Sequence, residues 1–220
     1  MRKFILALLL TLAASPALGQ DTTSNLEAHY TFETDGSDET VNNRDLTASS
    51  STPVHGAGAV GSGLTRGRYT LADATFLNSS ATYTITTWLY SNHRPETDVV
   101  TIGPSAQDAL ILMAAGTSWT SGTLNTLTSG GARRAKPATP GTPGPPVWEF
   151  RAVVCSSGTA TVYSNRDGSL VAAAASGNWT LPATAVAITV GPGGYAAGID
   201  ECRIFSRALA LADVQALEAE

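Results

Sequence analysis

Short segments in which apolar and polar residues alternate recur along the chain, and this period of two predicts β-strands. The clearest is TYTITTWLY, residues 82–90. One face of this strand carries Ile85 and Leu89. The opposite face carries Trp88 and Tyr90. Further strands are predicted over residues 26–32, 98–103, 109–114, 148–155, 159–165 and 185–191.

The end of the chain changes its period once. Residues 198–205, GIDECRIF, alternate like a strand, with Ile199 on one side and Asp200 and Cys202 on the other. From Leu209 onward the apolar spacing lengthens to that of a short helix. The pattern therefore predicts a final strand followed by a helix, with the carboxylate of Asp200 pointing inward beside Cys202.

Three segments between the strands are rich in turn residues. Residues 34–45 form a polar loop, and residues 56–67 form a Gly-rich crossing. Residues 132–147 are rich in Pro and Gly and predict an extended rim loop, because Pro cannot join a central strand. The basic residues of this loop suggest contact with an acidic partner or glycan, the alternative being a surface loop without a binding role. They are Arg133, Arg134 and Lys136.

The first nineteen residues have the three parts of a secretory signal peptide. Arg2 and Lys3 precede an apolar run over residues 4–14, and Ala-Leu-Gly at 17–19 suits cleavage. The alternative is a buried N-terminal helix. The pattern predicts an exported protein, periplasmic or at the extracellular surface, with a single domain over residues 20–220.

Composition and charge favour an all-β domain and argue against nucleic acid as a partner. The chain has 13 Lys and Arg against 18 Asp and Glu, so its formal net charge is −5. Removing the predicted signal takes away two basic residues and no acidic ones, which leaves −7. An acidic chain of this kind would be repelled by phosphates. Thr, Ser, Gly, Ala and Val are abundant, as expected for strands and turns.

Two cysteines, Cys155 and Cys202, permit one disulfide in an exported protein. By the length of the loop it would close, this bond would add about 4 kcal/mol. A buried free thiol at Cys202 is the equal alternative. Neither residue has a CxxC partner, so a catalytic thiol is not indicated.

Four motifs, in this order, resemble the laminin-G-like or concanavalin A-like lectin-glucanase family. They are YTFETDGSDETVNNRDLT at 30–47, GAVGSGLTRGRYTL at 58–71, YTITTWL at 83–89 and GIDECRIFSRAL at 198–209. The resemblance implies a two-sheet antiparallel jelly-roll sandwich with a short C-terminal helix. It also implies that the first and last strands are neighbours.

The same resemblance implies a calcium ion, which would be structural. Asp200 would lie near the loop that carries Asp38, Asn42 and Asp45, and oxygen atoms of this kind are calcium ligands. The alternative is that the loop residues form Asx turns. Asp200 would then accept hydrogen bonds from backbone or arginine without any ion.

Hydrolases of the laminarinase type share this fold, but their Glu-x-Asp-x-x-Glu motif is absent from the chain. Glu149 stands between two aromatic residues, and Glu201 is followed by Cys. The histidines are scattered and have no carboxylate or hydroxyl partner at a recognisable spacing. They are His29, His55 and His93. The sequence therefore argues against an enzyme.

Candidate ligand-binding residues are aromatic. Trp88 and Tyr90 share a strand face, and they would stack on a sugar ring or a peptide if that face is concave and open. The alternative is that both are core residues. Trp119 lies in a Gly/Ser/Thr-rich stretch and is a candidate for exposure, or else it anchors a loop.

Three classes of function are left open. The first is a non-catalytic module that binds carbohydrate or surface glycan. The second is a protein-adhesion or assembly subunit whose partner is a cell-surface protein, and the third is a hydrolase or lyase with an unfamiliar site. A fold does not choose among them, because unrelated functions share it.

Overall fold

The structure is a computed structural model that describes residues 20–49, 52–91, 97–103, 110–114, 124–128, 131–135, 147–165, 168–174, 178–181, 183, 187–193 and 197–220. The strands in these ranges are β1 (Leu26–Tyr30), β2 (Thr47–Ala48), β3 (Val54–Ala57), β4 (Ser62–Leu71), β5 (Tyr83–Ser91), β6 (Thr97–Gly103), β7 (Leu110–Ala114), β8 (Leu124–Thr128), β9 (Gly131–Ala135), β10 (Trp148–Ser156), β11 (Thr159–Ser164), β12 (Val171–Ala174), β13 (Ala187–Gly193) and β14 (Ala197–Phe205). A 3-10 turn covers Thr75–Leu77, and helix α1 covers Leu211–Glu218.

The strands form two antiparallel sheets that share β4. The front sheet has the order β12-β11-β10-β5-β14, and β14 also pairs with β1 and with the first part of β4. The back sheet continues from the second part of β4 through β13, β6, β7, β8 and β9. The chain passes from one sheet to the other near Gly67, whose φ is +92°. A Cβ there would lie 2.7 Å from the Cα of Pro53, so this bend requires glycine.

The first and last strands are neighbours, which confirms the prediction. β1 pairs with β14 in antiparallel register, with Tyr30 opposite Cys202 and Leu26 opposite Phe205. Helix α1 then packs Val214 and Leu217 onto the outer face of the front sheet. Among the described residues, no helix is long and apolar enough to cross a membrane.

The main core lies between the two sheets, and the alternation of β5 positions it. Ile85 and Leu89 of the front sheet are buried in this core together with Ile102 and Ile188 of the back sheet. A second, smaller core lies on the other face of the front sheet, under α1. It consists of Phe150, Ala152, Val154, Phe205, Leu209, Val214 and Leu217, with Leu26, Trp88, Tyr163, Leu170 and Ala208 packed against it.

Two segments that were predicted as loops contain strands. The Gly-rich crossing over residues 56–67 is part of the β3–β4 hairpin, in which Ala57 pairs with Ser62. The predicted rim loop over residues 132–147 is wrong at its start, because residues 132–135 lie in β9. Hydrogen bonding to β8 explains the difference: Arg133 lies opposite Thr126 and therefore belongs to a ladder.

A β-bulge in β14 corrects the predicted orientation of Asp200. Glu201 has a φ of +49°, and the register with β5 shifts between Asp200 and Arg203. Ile199 lies opposite Leu89 and points into the main core, whereas Asp200 lies opposite Trp88 on the outer face. The extra residue of the bulge reverses the alternation, so Asp200 and Cys202 do not share a face.

Candidate functional site

Four aromatic side chains form a strip on the outer face of the front sheet, where β5 pairs with β10. Tyr90 lies directly opposite Trp148, and Trp88 lies directly opposite Phe150. The ring centroids are 5.4 Å apart in the first pair and 5.5 Å apart in the second. The two rings of the second pair meet nearly edge to face. These are ordinary contact distances for aromatic pairs, so each pair stabilises the two-strand register. We call these four residues the aromatic strip.

One end of the aromatic strip is closed and the other is partly open. Phe150 is 1 % exposed and belongs to the small core under α1, with Trp88 packed against that core. Tyr90 and Trp148 lie outside this core and are partly exposed. The helix therefore covers the end of the strip at Phe150, whereas Tyr90 and Trp148 at the other end lie outside its core and are partly exposed.

Asp200 is buried beside the aromatic strip and holds the β3–β4 turn. Its Oδ2 accepts a hydrogen bond from the Val60 N–H at 2.9 Å, and its Oδ1 accepts one from the Glu201 N–H at 2.9 Å. Burial raises the pKa of Asp200 to about 6, although the Val60 N–H acts in the opposite direction. A Cβ at Gly58 would lie 2.4 Å from Oδ2, so glycine is needed for the carboxylate to approach the turn.

The carboxylate of Asp38 is saturated by hydrogen-bond donors. Its Oδ1 accepts from the backbone N–H groups of His29 and Thr40, at 3.0 and 2.9 Å. Its Oδ2 accepts from the Thr40 hydroxyl and the Arg44 N–H, both at 2.9 Å. Burial alone would raise the pKa of Asp38, but these N–H groups hold it below its usual value. A carboxylate has about four acceptor positions, so none is left for a cation.

The other predicted calcium ligands also serve the fold. The Oδ1 of Asp45 accepts from the Asp38 N–H at 2.9 Å, and the amide of Asn42 donates to the carbonyls of Leu26 and Glu27. Within the described residues, no three His, Cys, Asp or Glu side chains are grouped as a metal site. Asp38, Asn42, Asp45 and Asp200 therefore do not fit a shared calcium ion, so we expect no ion bound by these four residues.

His29 has a carboxylate partner that the sequence did not reveal. Its Nε2 lies 2.7 Å from Oε2 of Glu201, and the same oxygen lies 2.7 Å from Nη2 of Arg203. Arg203 in turn lies 2.6 Å from the carboxylate of Glu220, beyond the end of α1. Burial raises the pKa of Glu201, but His29 and Arg203 outweigh burial and lower it. This network ties β1 and the C-terminus to β14.

His55 also has partners, so the expectation of partnerless histidines is wrong for both described ones. Its Nδ1 lies 2.7 Å from the Phe32 carbonyl, and its Nε2 lies 3.2 Å from the Tyr69 hydroxyl. Since the carbonyl can only accept, Nδ1 carries the proton toward Phe32. His93 lies outside the described residues. The two described histidines hold neighbouring segments together.

Glu149 is buried in the sandwich and held by hydrogen bonds there. It is 2 % exposed and pairs with Arg151 at 2.9 and 3.1 Å, while the Ser164 hydroxyl donates to it at 2.5 Å. Because Glu149 lies opposite Leu89, its side chain points to the inner face, away from the aromatic strip. The sequence indicated neither this pairing nor this burial.

The predicted disulfide is wrong, because Cys155 and Cys202 are both free and buried. Cys155 lies opposite Tyr83, so its strand β10 flanks β5 on one side, whereas Cys202 is on β14 at the other side. Two strand spacings amount to about 10 Å, well beyond the roughly 7 Å over which Cα atoms can be bridged. Burial raises the pKa of the Cys202 thiol to about 12, so it is inert as a nucleophile.

The predicted basic and exposed-loop residues are only partly described. Arg133 and Arg134 lie in β9, opposite Thr126 and Asn125. Trp119 and Lys136 lie outside the described residues, as does the predicted signal peptide. Their roles in binding stay predictions.

Trp148 and Gly198 are site residues that the sequence analysis missed. Trp148 and Phe150 lie on the same face of the strand WEFRAVVC, which was recognised as a strand but not as the partner of β5. That pairing places Trp148 opposite Tyr90 and Phe150 opposite Trp88, so knowing it would have identified both residues as part of the site. Gly198 faces Tyr90 from the other side, on β14.

Several solved structures share the fold. Domain 4 of AbnA, a GH43 extracellular arabinanase from Geobacillus stearothermophilus in complex with arabinotriose, matches with a TM-score of 0.69 and 21% identity over 88% of this chain and 98% of that one. Trypanosoma rangeli sialidase matches with a TM-score of 0.60 and 15% identity, over 94% of this chain and 35% of the sialidase. The binding domain of Botulinum Neurotoxin DC, in complex with SialylT, matches with a TM-score of 0.58 and 12% identity, over 90% of this chain and 52% of that one. At these identities the likeness shows the fold.

A family model identifies the chain more directly. Among curated proteins, none matches the chain. The model described as the concanavalin A-like lectin/glucanases superfamily matches residues 64–215, which is well over half of the chain. That range includes strands β5, β10 and β14, which carry the aromatic strip and its neighbour Gly198. The chain belongs to the concanavalin A-like lectin/glucanases superfamily.

Proposed function

We propose that the protein is a carbohydrate-binding module whose ligand stacks on the aromatic strip. The observation that carries this proposal is the pair Tyr90 and Trp148, whose partly exposed rings lie side by side on an ordered sheet. The C–H faces of a sugar ring are apolar, whereas its hydroxyl groups lie around the rim. An aromatic ring already fixed by strand pairing therefore binds the face of a sugar and loses little further conformational freedom on binding.

The packing beneath the strip holds its rings in fixed positions before a ligand binds. Trp88 contacts Phe150, and Phe150 is buried under helix α1, so the rings nearest the helix have little freedom. Tyr90 and Trp148 continue the same row on the same two strands. A rigid site of this kind has a small entropic cost of binding.

The relatives of the fold support sugar as the ligand class. The arabinanase domain was solved with arabinotriose, and the chain covers almost all of that domain, so the likeness is to a domain rather than to a whole enzyme. The binding domain of the neurotoxin was solved with SialylT. These ligands belong to those proteins, and they support a saccharide for this chain without fixing which one.

We further propose that the module does not cleave its ligand and that it is exported. Glycoside hydrolysis requires two carboxyl groups on either side of the scissile bond. Near the strip, Asp200 is buried and holds a turn, and Glu149 points to the other face of the sheet. Export is supported by the leader pattern of residues 1–19.

A glycan array tests the proposal. The purified protein is expected to bind a defined set of glycans, and Tyr90→Ala and Trp148→Ala are expected to weaken binding, because each removes a ring from the open end of the strip. Val41→Ser is the matched control, since Val41 is 93 % exposed on the loop between β1 and β2. Binding to no glycan at all, or equal binding by the strip variants and the control, would show that the function is not sugar binding at this surface.

A further inference from the structure

Three residues lie in one row across the front sheet at the open end of the aromatic strip. Trp148 on β10 is opposite Tyr90 on β5, and Tyr90 is opposite Gly198 on β14. A Cβ added to Gly198 would lie 2.8 Å from Cη2 and 3.3 Å from Cζ2 of Trp148, and 3.2 Å from the Cβ of Tyr90. The far edge of the indole is therefore in contact with the backbone of Gly198.

This contact fixes the orientation of the indole. Neighbouring strands are about 4.8 Å apart, so the backbones of Trp148 and Gly198 are separated by roughly 10 Å. A side chain on β10 reaches β14 only if it extends sideways across β5 rather than standing upright on the sheet. The indole of Trp148 thus lies across the sheet, and Trp148 is partly exposed in this position.

We propose that Gly198 is a specificity-determining residue, because its missing side chain lets Trp148 lie across β5 and form, with Tyr90, a platform for an uncharged sugar ring. This inference rests on the proposed function. Any side chain at position 198 would have to displace the indole, since a gap of 2.8 Å is shorter than a carbon–carbon contact.

The described charges along β14 favour a neutral ligand. Arg203 lies opposite Thr86, four residues along β5 from Tyr90, and both Arg203 and its cross-strand neighbour His29 are already paired with Glu201. Arg203 is also paired with Glu220. Asp200 is 0 % exposed and engaged by backbone N–H groups. The chain as a whole has a net charge of −5, which repels an anionic sugar. Stacking on a ring face needs no charge, so a neutral saccharide fits these surroundings.

The test compares neutral and anionic oligosaccharides against four forms of the full chain. The wild type, Gly198→Ala, Trp148→Ala and Val41→Ser are each measured on an array that contains arabinotriose, other neutral oligosaccharides and sialylated ones. Val41→Ser is the control, because Val41 is 93 % exposed and lies away from the platform on the loop between β1 and β2. Melting temperature and near-ultraviolet circular dichroism check that each variant is folded. Trp148→Phe replaces Trp148→Ala if the latter does not fold.

We expect neutral glycans to bind best, and we expect Gly198→Ala and Trp148→Ala to weaken binding at least tenfold while Val41→Ser binds like the wild type. Preferential binding of sialylated glycans would overturn the inference. Unchanged binding by folded Gly198→Ala and Trp148 variants would also overturn it, and sugar binding elsewhere would then stand. If the wild type binds no glycan, the proposed function itself fails.

Discussion

Replacing Thr86 with valine is expected to stabilise the protein. The side chain of Thr86 is fully buried in the front sheet, and its hydroxyl has no hydrogen-bond partner among the described residues. A buried hydroxyl without a partner costs about 1–3 kcal/mol of desolvation. Valine has nearly the same shape and is equally suited to a strand. We therefore expect Thr86→Val to raise the free energy of unfolding by about 1–2 kcal/mol.

Thr84 provides a matched control two residues earlier on the same face of β5. It is also fully buried, but its hydroxyl donates to the Arg207 carbonyl at 2.8 Å and accepts from the Leu209 N–H at 3.0 Å. Thr84→Val removes both bonds and leaves two backbone groups without a partner. Since each such group costs about 1–3 kcal/mol, the variant is expected to lose about 2 kcal/mol or more.

Thermal and urea unfolding of both variants and the wild type measure the difference. In a domain of this size, 1 kcal/mol corresponds to a shift in Tm of roughly 2–4 °C. The two variants should therefore move Tm in opposite directions. If Thr86→Val is destabilised as much as Thr84→Val, then the Thr86 hydroxyl is satisfied in solution and the packing described for β5 is incorrect at this position.

Three further predictions concern groups buried in the sandwich. Burial raises the folded-state pKa of Asp200 from 3.8 to about 6, so the folded state binds a proton that the unfolded state lacks, and stability should fall as pH rises from 5 to 7. Urea unfolding should show this fall in the wild type and not in Asp200→Asn; an equal fall in both would contradict it. Because hydrogen-bond donors saturate the Asp38 carboxylate, neither calcium nor a chelator should change Tm, whereas Asp38→Ala should lower it. A rise in Tm on adding calcium would show that the loop binds an ion. Titration in denaturant without reductant should find two free thiols, and fewer would show that Cys155 and Cys202 pair.

The sequence predicted elements whose signal is local. The alternation in β5 identified the strand and divided its residues between two faces, because period two depends only on neighbouring residues, but it left open which face is buried in the main core. The adjacency of β1 and β14 followed from the family resemblance of the motifs, and the register of Tyr30 with Cys202 bears it out. The short helix after Leu209 followed from its apolar spacing in the same way.

Features that depend on pairing between distant segments could not be predicted from the sequence. The bulge at Glu201 inserts one residue into β14 and reverses which of the following side chains point to the core. No residue type in this segment indicates a bulge. The carboxylate of Asp200 is bound by Val60, which is 140 residues away along the chain. For the same reason Trp148 was not assigned to the row of Tyr90, and the sequence left open a Cys155–Cys202 disulfide that β5, lying between their strands, prevents.

Calorimetric titration tests the central claim most directly. The wild type and the double variant Tyr90→Ala/Trp148→Ala are titrated with the neutral oligosaccharide that binds best on the array, with Val41→Ser as the control. The account predicts saturable binding at one site by the wild type and the control, and loss of at least tenfold in affinity by the double variant at an unchanged far-ultraviolet spectrum. Equal affinity of the double variant and the wild type would contradict the assignment of the aromatic strip as the glycan site.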